Sequence, residues 1–146
     1  MPAQTVIQMV SPLVGVEKAA PLDYAATGCH VRVEAQPEQM PKLAAAMLEL
    51  RFFLESLTAL DLRESFEVVY HFASYFELCR TVVHVPLPLG TEVPTISTIY
   101  PGADWFEREV FEMFGIIFTG HPNLKNLILP DDADFHPLLK DFVASN

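Results

Sequence analysis

The chain has 146 residues, of which 51% are hydrophobic and 19% charged, and nine Lys and Arg against nineteen Asp and Glu give a formal net charge of −10. This length favours one domain with a single core, and the apolar content exceeds what a solitary soluble domain needs, which suggests a protein partner. The acidic charge would repel nucleic acid, so nucleic-acid binding is not predicted.

The first 28 residues are predicted to form a loosely structured lead-in with at most one short element, because Pro2, Pro12 and Pro21 interrupt a weak periodicity. They lack a basic region followed by a long apolar run, and no window of the chain approaches the ~20 apolar residues that span a bilayer. We therefore expect no membrane span in this chain, and any attachment to a membrane would run through partner chains.

A strand and a long helix are predicted next. Residues 29–35 alternate apolar and polar side chains, which is the two-residue period of a strand with one buried face. From residue 37 to about residue 60, Met and Leu recur at spacings of three and four, which predicts an amphipathic helix. Phe52 would project away from its apolar stripe, toward solvent or a partner.

The middle of the chain is predicted to form a β-hairpin from residues 65–74 and 77–87, followed by a loop at 86–94 that contains three prolines and a glycine. The order of elements predicts an α/β (α+β) two-layer sandwich, a mixed sheet with helices packed on one face. We expect a single domain, with the α/β core at 29–122 and an extended, partner-binding C-terminal segment at 123–146. The strand order is not predictable from these patterns.

A helix is predicted from Asp104 to Gly115. Asp104 would cap its first turn with Glu107 completing a capping box, and Gly115 would end it in the left-handed conformation. Helical projection draws Glu107 into the apolar sector, where a carboxylate needs hydrogen bonds or a cation. It is either a general acid or base, or an acceptor of backbone N–H groups at the helix start, and the absence of a neighbouring His or nucleophile favours the second interpretation.

The same helix carries a charged row and an aromatic flank. Arg108 lies four residues from both Asp104 and Glu112 and is expected to pair along the helix with either. Trp105 and Glu109 project between that row and the apolar arc, and a Trp beside charged residues is typical of a protein interface.

No metal or cofactor site is expected in this chain. Cys29 and Cys79 form no CxxC pair, which removes the usual pattern of zinc, iron–sulfur and dithiol redox sites and fits a reducing cytoplasm. The His121-Pro122 and His136-Pro137 dipeptides are more typical of fixed turns than of a ligand set with the nearby aspartates, which we interpret as a solvated loop.

The chain resembles the 30-kDa subunit family of NADH:quinone oxidoreductase (complex I), with its relatives in energy-converting [NiFe] hydrogenases and formate hydrogenlyase. The resemblance is carried by FEVVYHF, VPTISTIYPGADWFEREVFEMFGIIFTGHPNL and ILPDDADFHPLLKDF, at residues 66–72, 93–124 and 128–142. It implies a structural subunit of the peripheral arm without a cofactor of its own, on the cytoplasmic side of the membrane. Its partners would be the large quinone-site or [NiFe]-type subunit and the small iron–sulfur subunit, which hold the iron–sulfur clusters and the [NiFe] centre or quinone site.

The positions singled out for partner contact or as family signature are Trp105, Glu107, Arg108, Glu109, Phe114, Gly115, Ile116, Gly120, His121, Pro122, Leu124, His136, Pro137, Lys140 and Asp141. Two departures stand out: Lys125-Asn126 replaces a pair of arginines of complex I members, and FHPLLKD lacks a glycine and an arginine. These departures, with the short stretch after Asp141, favour the hydrogenase branch and leave the electron donor open.

Two other functions compete with this interpretation. An independent enzyme would use Glu107 with a histidine such as His71 or His84 brought near by folding, and would show a concave pocket around a carboxyl of raised pKa. A stand-alone binding module would be monomeric and stable by itself.

Overall fold

The computed structural model describes residues 2–140. The helices are α1 (Pro2–Val14), α2 (Tyr24–Thr27), α3 (Met40–Glu49) and α4 (Ala103–Phe114), with 3₁₀ turns at Val16–Lys18 and Pro37–Gln39. The strands are β1 (Ala19–Pro21), β2 (Val31–Glu34), β3 (Phe52–Asp61), β4 (Ser65–Ser74), β5 (Arg80–Pro88), β6 (Val93–Pro94) and β7 (Phe118–Thr119).

Five strands form one mixed sheet in the order β1-β2-β5-β4-β3, and β6 and β7 form a separate parallel pair. Strands β2 and β5 are parallel, while the other neighbours in the large sheet are antiparallel. The predicted hairpin is confirmed, since β4 pairs with β5 from Ser65 opposite Pro88 to Ala73 opposite Arg80. The two-layer α+β sandwich with a mixed sheet is likewise confirmed.

The core lies between the helices and one face of this sheet. The alternation of β4 and β5 places Val68, Tyr70 and Phe72 on the same face as Val83 and Val85, all of them buried. Onto this face pack buried side chains of the three longer helices, including Val6, Val10, Met40, Leu43, Met47, Val110 and Phe114. The residues between them on the strands point to the opposite face, where Cys29, Val69 and Val82 form a small second cluster.

The predicted helix from residue 37 to residue 60 is wrong in its second half. Helix α3 ends at Glu49, Arg51 adopts the left-handed conformation with φ 64, and Phe52 begins strand β3. The strand buries Leu57 and leaves Thr58 exposed, a two-residue period that the leucine spacing concealed. Phe52 is buried, not exposed, and its carbonyl accepts a 2.9 Å hydrogen bond from the hydroxyl of a buried tyrosine.

The N-terminal stretch is more regular than the predicted lead-in, because α1 occupies residues 2–14. Val6 and Val10, four residues apart on the helix, are buried in the core. Pro2 lies in the first turn and Pro12 in the last, so neither proline breaks the middle of the helix. The buried contacts of Val6 and Val10 thus stabilise this helix more than its prolines destabilise it.

The chain after β7 carries neither helix nor strand up to residue 140, and residues 141–146 of the predicted extended segment lie outside the described residues. The predicted loop at 86–94 is shorter than expected, since β5 continues through Pro88 and β6 begins at Val93. Among residues 2–140, the helices are all too short or too polar to cross a bilayer.

Candidate functional site

Helix α4 is the centre of the candidate site. It begins at Ala103, one residue before the predicted start, and its N-cap Gly102 offers no side-chain hydrogen bond, so the predicted capping box is wrong. Its predicted end is confirmed: Gly115 is left-handed with φ 79 and donates its N–H to the Phe111 carbonyl. Two carboxylates of this helix, Glu107 and Glu112, are completely buried.

Glu107 faces the loop that precedes the helix. One carboxylate oxygen accepts the Thr95 hydroxyl, and the other accepts the Ile96 N–H at 2.9 Å. The predicted burial is confirmed, but the backbone donor belongs to the preceding loop and not to the helix start. This carboxylate therefore fastens the loop at 95–96 to α4.

Burial raises the pKa of Glu107, because the charged form loses its hydration, and the hydrogen bonds from Thr95 and Ile96 only partly oppose this effect. The pKa of the buried Tyr70 phenol is also raised, first by burial and then by the negative charge of Glu107. The Tyr70 hydroxyl has no hydrogen-bond partner among the described residues. The Tyr70 phenol and the Glu107 carboxylate are thus both buried in the interior on the core side of α4, close enough to interact electrostatically.

His121 completes the group around Glu107, and its side chain is fully buried. Its Nδ1 accepts the Asn123 N–H at 2.9 Å, and its Nε2 donates to the Asp104 carbonyl at 3.1 Å. An N–H donor at Nδ1 matches the tautomer that carries its proton on Nε2. Nε2 also lies 3.3 Å from the Asp104 carboxylate and 3.9 Å from that of Glu107.

Glu112 holds the C-terminal segment. One of its oxygens accepts the backbone N–H groups of Leu127, Ile128 and Leu129 at 2.7, 3.0 and 3.1 Å, and the other lies 3.0 Å from the Ile128 nitrogen. Three successive amide groups that have no strand or helix partner thus converge on one buried carboxylate. This charge-assisted cluster replaces regular secondary structure along the segment.

Arg108, one turn before Glu112 on the same side of the helix, binds the same segment. Its Nε donates to the Lys125 carbonyl at 3.2 Å, and one terminal nitrogen donates to the Asn126 carbonyl at 3.1 Å. The predicted pairing along the helix with Asp104 or Glu112 is therefore wrong. Arg108 and Glu112 together bind the carbonyl and N–H groups of residues 125–129.

His136 closes the other end of α4. Its Nδ1 donates to the Glu112 carbonyl at 2.9 Å, and the Leu138 N–H donates to the Met113 carbonyl at 3.0 Å. A Cβ on Gly115 would meet the His136 ring at 3.0 Å, so this position requires glycine for both its φ and its packing. His121 and His136 thus each bind a carbonyl of α4, one near each end of the helix.

The outer flank of the helix is open. Trp105 is 66% exposed, Ile128 in the attached segment is 67% exposed, and Glu109 is also exposed. We call these three residues the α4 face. The loop with Asp131, Asp132 and Asp134 is exposed as well.

The remaining signature positions lie around this centre. Phe114 and Ile116 are buried in the core and the half-buried Leu124 packs against it, while Pro122 is exposed and Pro137 half-buried. Gly120 is left-handed with φ 83, directly before His121. The Lys140 N–H donates to the Asp61 carboxylate at 2.9 Å. Asp141 lies outside the described residues.

Sequence reasoning missed the binding partners of the acidic side chains. Thr95 and Ile96 lie more than ten residues before Glu107, and residues 127–129 lie more than ten after Glu112, so local spacing carries no sign of them. No feature of the sequence separated Glu112 from the other acidic residues of α4.

The structure does not bring Glu107 together with His71 or His84. These two histidines line a cleft on the sheet face opposite the helices, whereas Glu107 lies between α4 and the loop at 95–96. Within residues 2–140, no group of three or more His, Cys, Asp or Glu side chains is arranged to hold a metal ion. The arrangement around α4 is suited to holding loops in place, because Glu107, Arg108 and Glu112 are already hydrogen-bonded to backbone groups of the neighbouring loops.

Comparison with known proteins places these residues in a family. Residues 33–146 match the family described as respiratory-chain NADH dehydrogenase, 30 Kd subunit. The C subunit of NADH-quinone oxidoreductase from Roseiflexus sp. (strain RS-1) is 44% identical over 117 residues, covering 75% of this chain and 67% of that protein. The protein of the same name from Ruegeria pomeroyi is 45% identical over 92 residues, covering 61% of this chain and 46% of its own length.

Among solved structures, the chain is similar to one from the membrane-bound sulfane sulfur reductase, an archaeal respiratory membrane complex. The TM-score is 0.79, and the match covers 96% of this chain and 84% of the other. At 23% identity this likeness shows the fold alone.

Proposed function

Because the chain belongs to the family of the 30 kDa subunit of respiratory-chain NADH dehydrogenase, we propose that it is a cofactor-free structural subunit of a membrane-attached, complex-I-like oxidoreductase. It packs in the peripheral arm, on the cytoplasmic side, against the large subunit that holds the quinone site or [NiFe] centre. The small iron–sulfur subunit lies near. Electrons pass through the clusters of these partners to drive ion translocation, and this chain keeps their arrangement fixed.

The observation that carries the proposal is the contrast between the hydrogen-bonded charged side chains of α4 and its exposed Trp105. Glu107, Arg108 and Glu112 are all hydrogen-bonded within the chain, so they shape a rigid platform and present no reactive group to a substrate. Trp105 on the same helix is two-thirds exposed. Trp is enriched among the residues that contribute most to binding at protein interfaces.

The α4 face has a chemistry that suits a protein partner. Trp105 and Ile128 supply apolar area, and Glu109 supplies negative charge. A partner surface with an apolar pocket bordered by Lys or Arg would complement it in shape and charge. The enzyme interpretation lacks such support, because the carboxylate of Glu107 and the ring of His121 have no exposed surface through which a substrate could reach them.

Isolation of the tagged chain in mild detergent tests this proposal. We expect a large subunit and an iron–sulfur subunit to accompany it, and the sequence of the large subunit then assigns the complex to the quinone or the hydrogenase type. Trp105→Ala should lower recovery of the large subunit about tenfold or more, since truncation of an interface anchor costs about 2 kcal/mol or more.

Val16→Ala, which changes another strongly exposed apolar residue in a different part of the chain, serves as the matched control and should leave recovery unchanged. The proposal is wrong if the wild-type chain is isolated alone as a stable monomer. Equal recovery with both variants would show that the α4 face is not the interface.

A further inference from the structure

The sheet has a second face, which the three longer helices of residues 2–140 leave uncovered and which only Leu22 and Thr27, before and at the end of α2, border. We call it the open face. It carries Arg32, Thr58, Val69, His71, Val82 and His84, which line a cleft of about 450 Å³. The strand registers place these side chains in two neighbouring rows that run across the strands. One row contains Arg32, Val82 and His71, and the next contains His84, Val69 and Thr58. The cleft therefore crosses four strands, β2, β5, β4 and β3.

We propose that the open face is covered in the assembled complex by one amphipathic helix of another subunit, which places a carboxylate against Arg32. This inference rests on the proposed function, since it requires a multi-subunit complex. It concerns a surface on the opposite side of the sheet from α4, so it adds a second contact to the one made by the α4 face.

The floor of the cleft is already apolar and nearly dry. Val69, Val82 and Cys29 are only 6–7% exposed, and Leu60 at the rim is 48% exposed. The floor includes the parallel pair β2–β5. A second layer on this face would complete the cover that the chain supplies on one side only.

The charges on and around the open face favour an anionic partner. Two of its carboxylates form ion pairs within the chain, Glu55 with Arg80 and Glu34 with Lys18 at 3.3 Å, and the Glu67 carboxylate contacts the His84 ring. Covering these groups costs less than covering free carboxylates, because each keeps its partner.

Arg32 is different, because its guanidinium makes no hydrogen bond or ion pair with any residue from 2 to 140. In a chain with a net charge of −10, an unmatched cation beside an apolar cleft is the point where a partner can gain a charged contact. A guanidinium also binds a carboxylate through two parallel hydrogen bonds, which fixes the orientation of the partner. The occupant therefore presents Asp or Glu among apolar side chains.

The width of the cleft accommodates a single helix. Neighbouring strands lie about 4.8 Å apart, so the three spacings from β2 to β3, which the cleft crosses, span roughly 14 Å. A helix with its side chains is about 10–12 Å across. One helix therefore fits between Arg32 on β2 and Thr58 on β3.

Site-specific photocrosslinking in the intact complex tests the inference. The full tagged chain carries p-benzoylphenylalanine at Thr58, which is exposed and lines the cleft, or at Trp105 on the α4 face. The complex is purified and irradiated, and the crosslinked peptide is identified by mass spectrometry. From Thr58 we expect a peptide of another subunit with helical apolar spacing and an Asp or Glu.

Charge reversal decides whether the contact is the one inferred. Arg32→Glu should lower the Thr58 crosslink about tenfold, Arg32→Gln should lower it less, and Lys42→Glu, the same charge change on exposed α3, should not alter it. Exchanging the acidic residue of the crosslinked peptide for Arg should restore the crosslink with Arg32→Glu. That reciprocal rescue would support the direct pair.

The other outcomes overturn the inference. A crosslink from Trp105 without one from Thr58 would leave the proposed function standing and show that the open face is uncovered. A Thr58 crosslink to a second copy of this chain, or one equally strong with Arg32→Glu and Lys42→Glu, would assign the face to a different contact. Absence of crosslinks from both positions would contradict the proposed function itself.

Discussion

Replacement of Glu112 by Gln is the most direct test of how the C-terminal segment is held. The change keeps the size of the side chain but removes its charge and turns one acceptor oxygen into an NH₂ donor. With the remaining oxygen directed at residues 127–129, the new NH₂ group would face the Ile128 N–H, whose nitrogen lies 3.0 Å from the present carboxylate oxygen. Two donors would then oppose each other in a buried site.

The size of the effect follows from the bonds that change. Hydrogen bonds to charged groups contribute about 1.5–3 kcal/mol and neutral ones about 1 kcal/mol, so each of the three bonds to the retained oxygen should weaken by roughly 0.5–1 kcal/mol. Relief of the buried charge offsets part of this loss, and the opposed donors add to it. We expect a net loss of about 2–3 kcal/mol in the free energy of unfolding, or roughly 4–12 °C in Tm.

Urea unfolding of the full chain measures this loss, and hydrogen exchange of the amides at 127–129 measures its location. Glu109→Gln is the matched control, since it makes the same chemical change at an exposed position of the same helix and should stay within about 0.5 kcal/mol of wild type. Equal stability of the two variants, or unchanged exchange at 127–129 in Glu112→Gln, would refute the role assigned to this carboxylate.

Three further outcomes are expected. Gly115→Ala should cost about 1–2 kcal/mol more in the free energy of unfolding than Gly28→Ala. Both glycines have φ near 80°, but only at Gly115 would the new Cβ meet an imidazole, that of His136, at 3.0 Å. Equal losses in the two variants would show that this contact does not matter. Burial raises the folded-state pKa of Glu107, so the protonated side chain contributes to the free energy of unfolding fully below about pH 4.3, and this contribution is lost as the pH rises through the folded pKa. In urea titrations, the stability of wild type relative to Glu107→Gln should therefore fall with rising pH. A difference that stays constant with pH would contradict the raised pKa. The Lys140 N–H lowers the pKa of Asp61, so this contact should persist down through the usual Asp range near about pH 3.9 and be lost only at more acidic pH; Asp61→Asn should speed exchange of that amide at neutral pH, and unchanged exchange would argue against the bond.

Local periodicity predicted the elements whose burial repeats along the sequence. The alternation in residues 65–74 predicted β4, because one face of that strand meets the core and the other does not. The apolar arc with Gly115 predicted α4 and its end. Residues 50–60 misled the prediction because their leucines also satisfy a helical spacing, and the left-handed residue that ends α3 is Arg51 where a glycine would have given warning.

The arrangement of the candidate site was beyond local reasoning. Burial of Glu107 followed from its projection on the helix, whereas its partners depend on how the loop at 95–96 returns to α4. The same is true of Glu112, whose donors come from a segment without periodicity, and of Arg108, where a pairing along the helix was equally compatible with the spacing. These contacts are set by tertiary packing, which one-dimensional patterns do not encode.

The parallel pair β2–β5 also bears on the order in which parts of the chain fold. Strands β3, β4 and β5 follow one another as an antiparallel meander and can form from contacts that are close in sequence. Strand β2 pairs with β5 only when Val31 comes beside Thr81. The chain must therefore close a long loop, at a cost in conformational entropy, before the hydrogen bonds between these strands form. We therefore expect the N-terminal third to dock late, on a meander that already exists, so that a nascent chain exposes β5 as a free edge until β2 arrives.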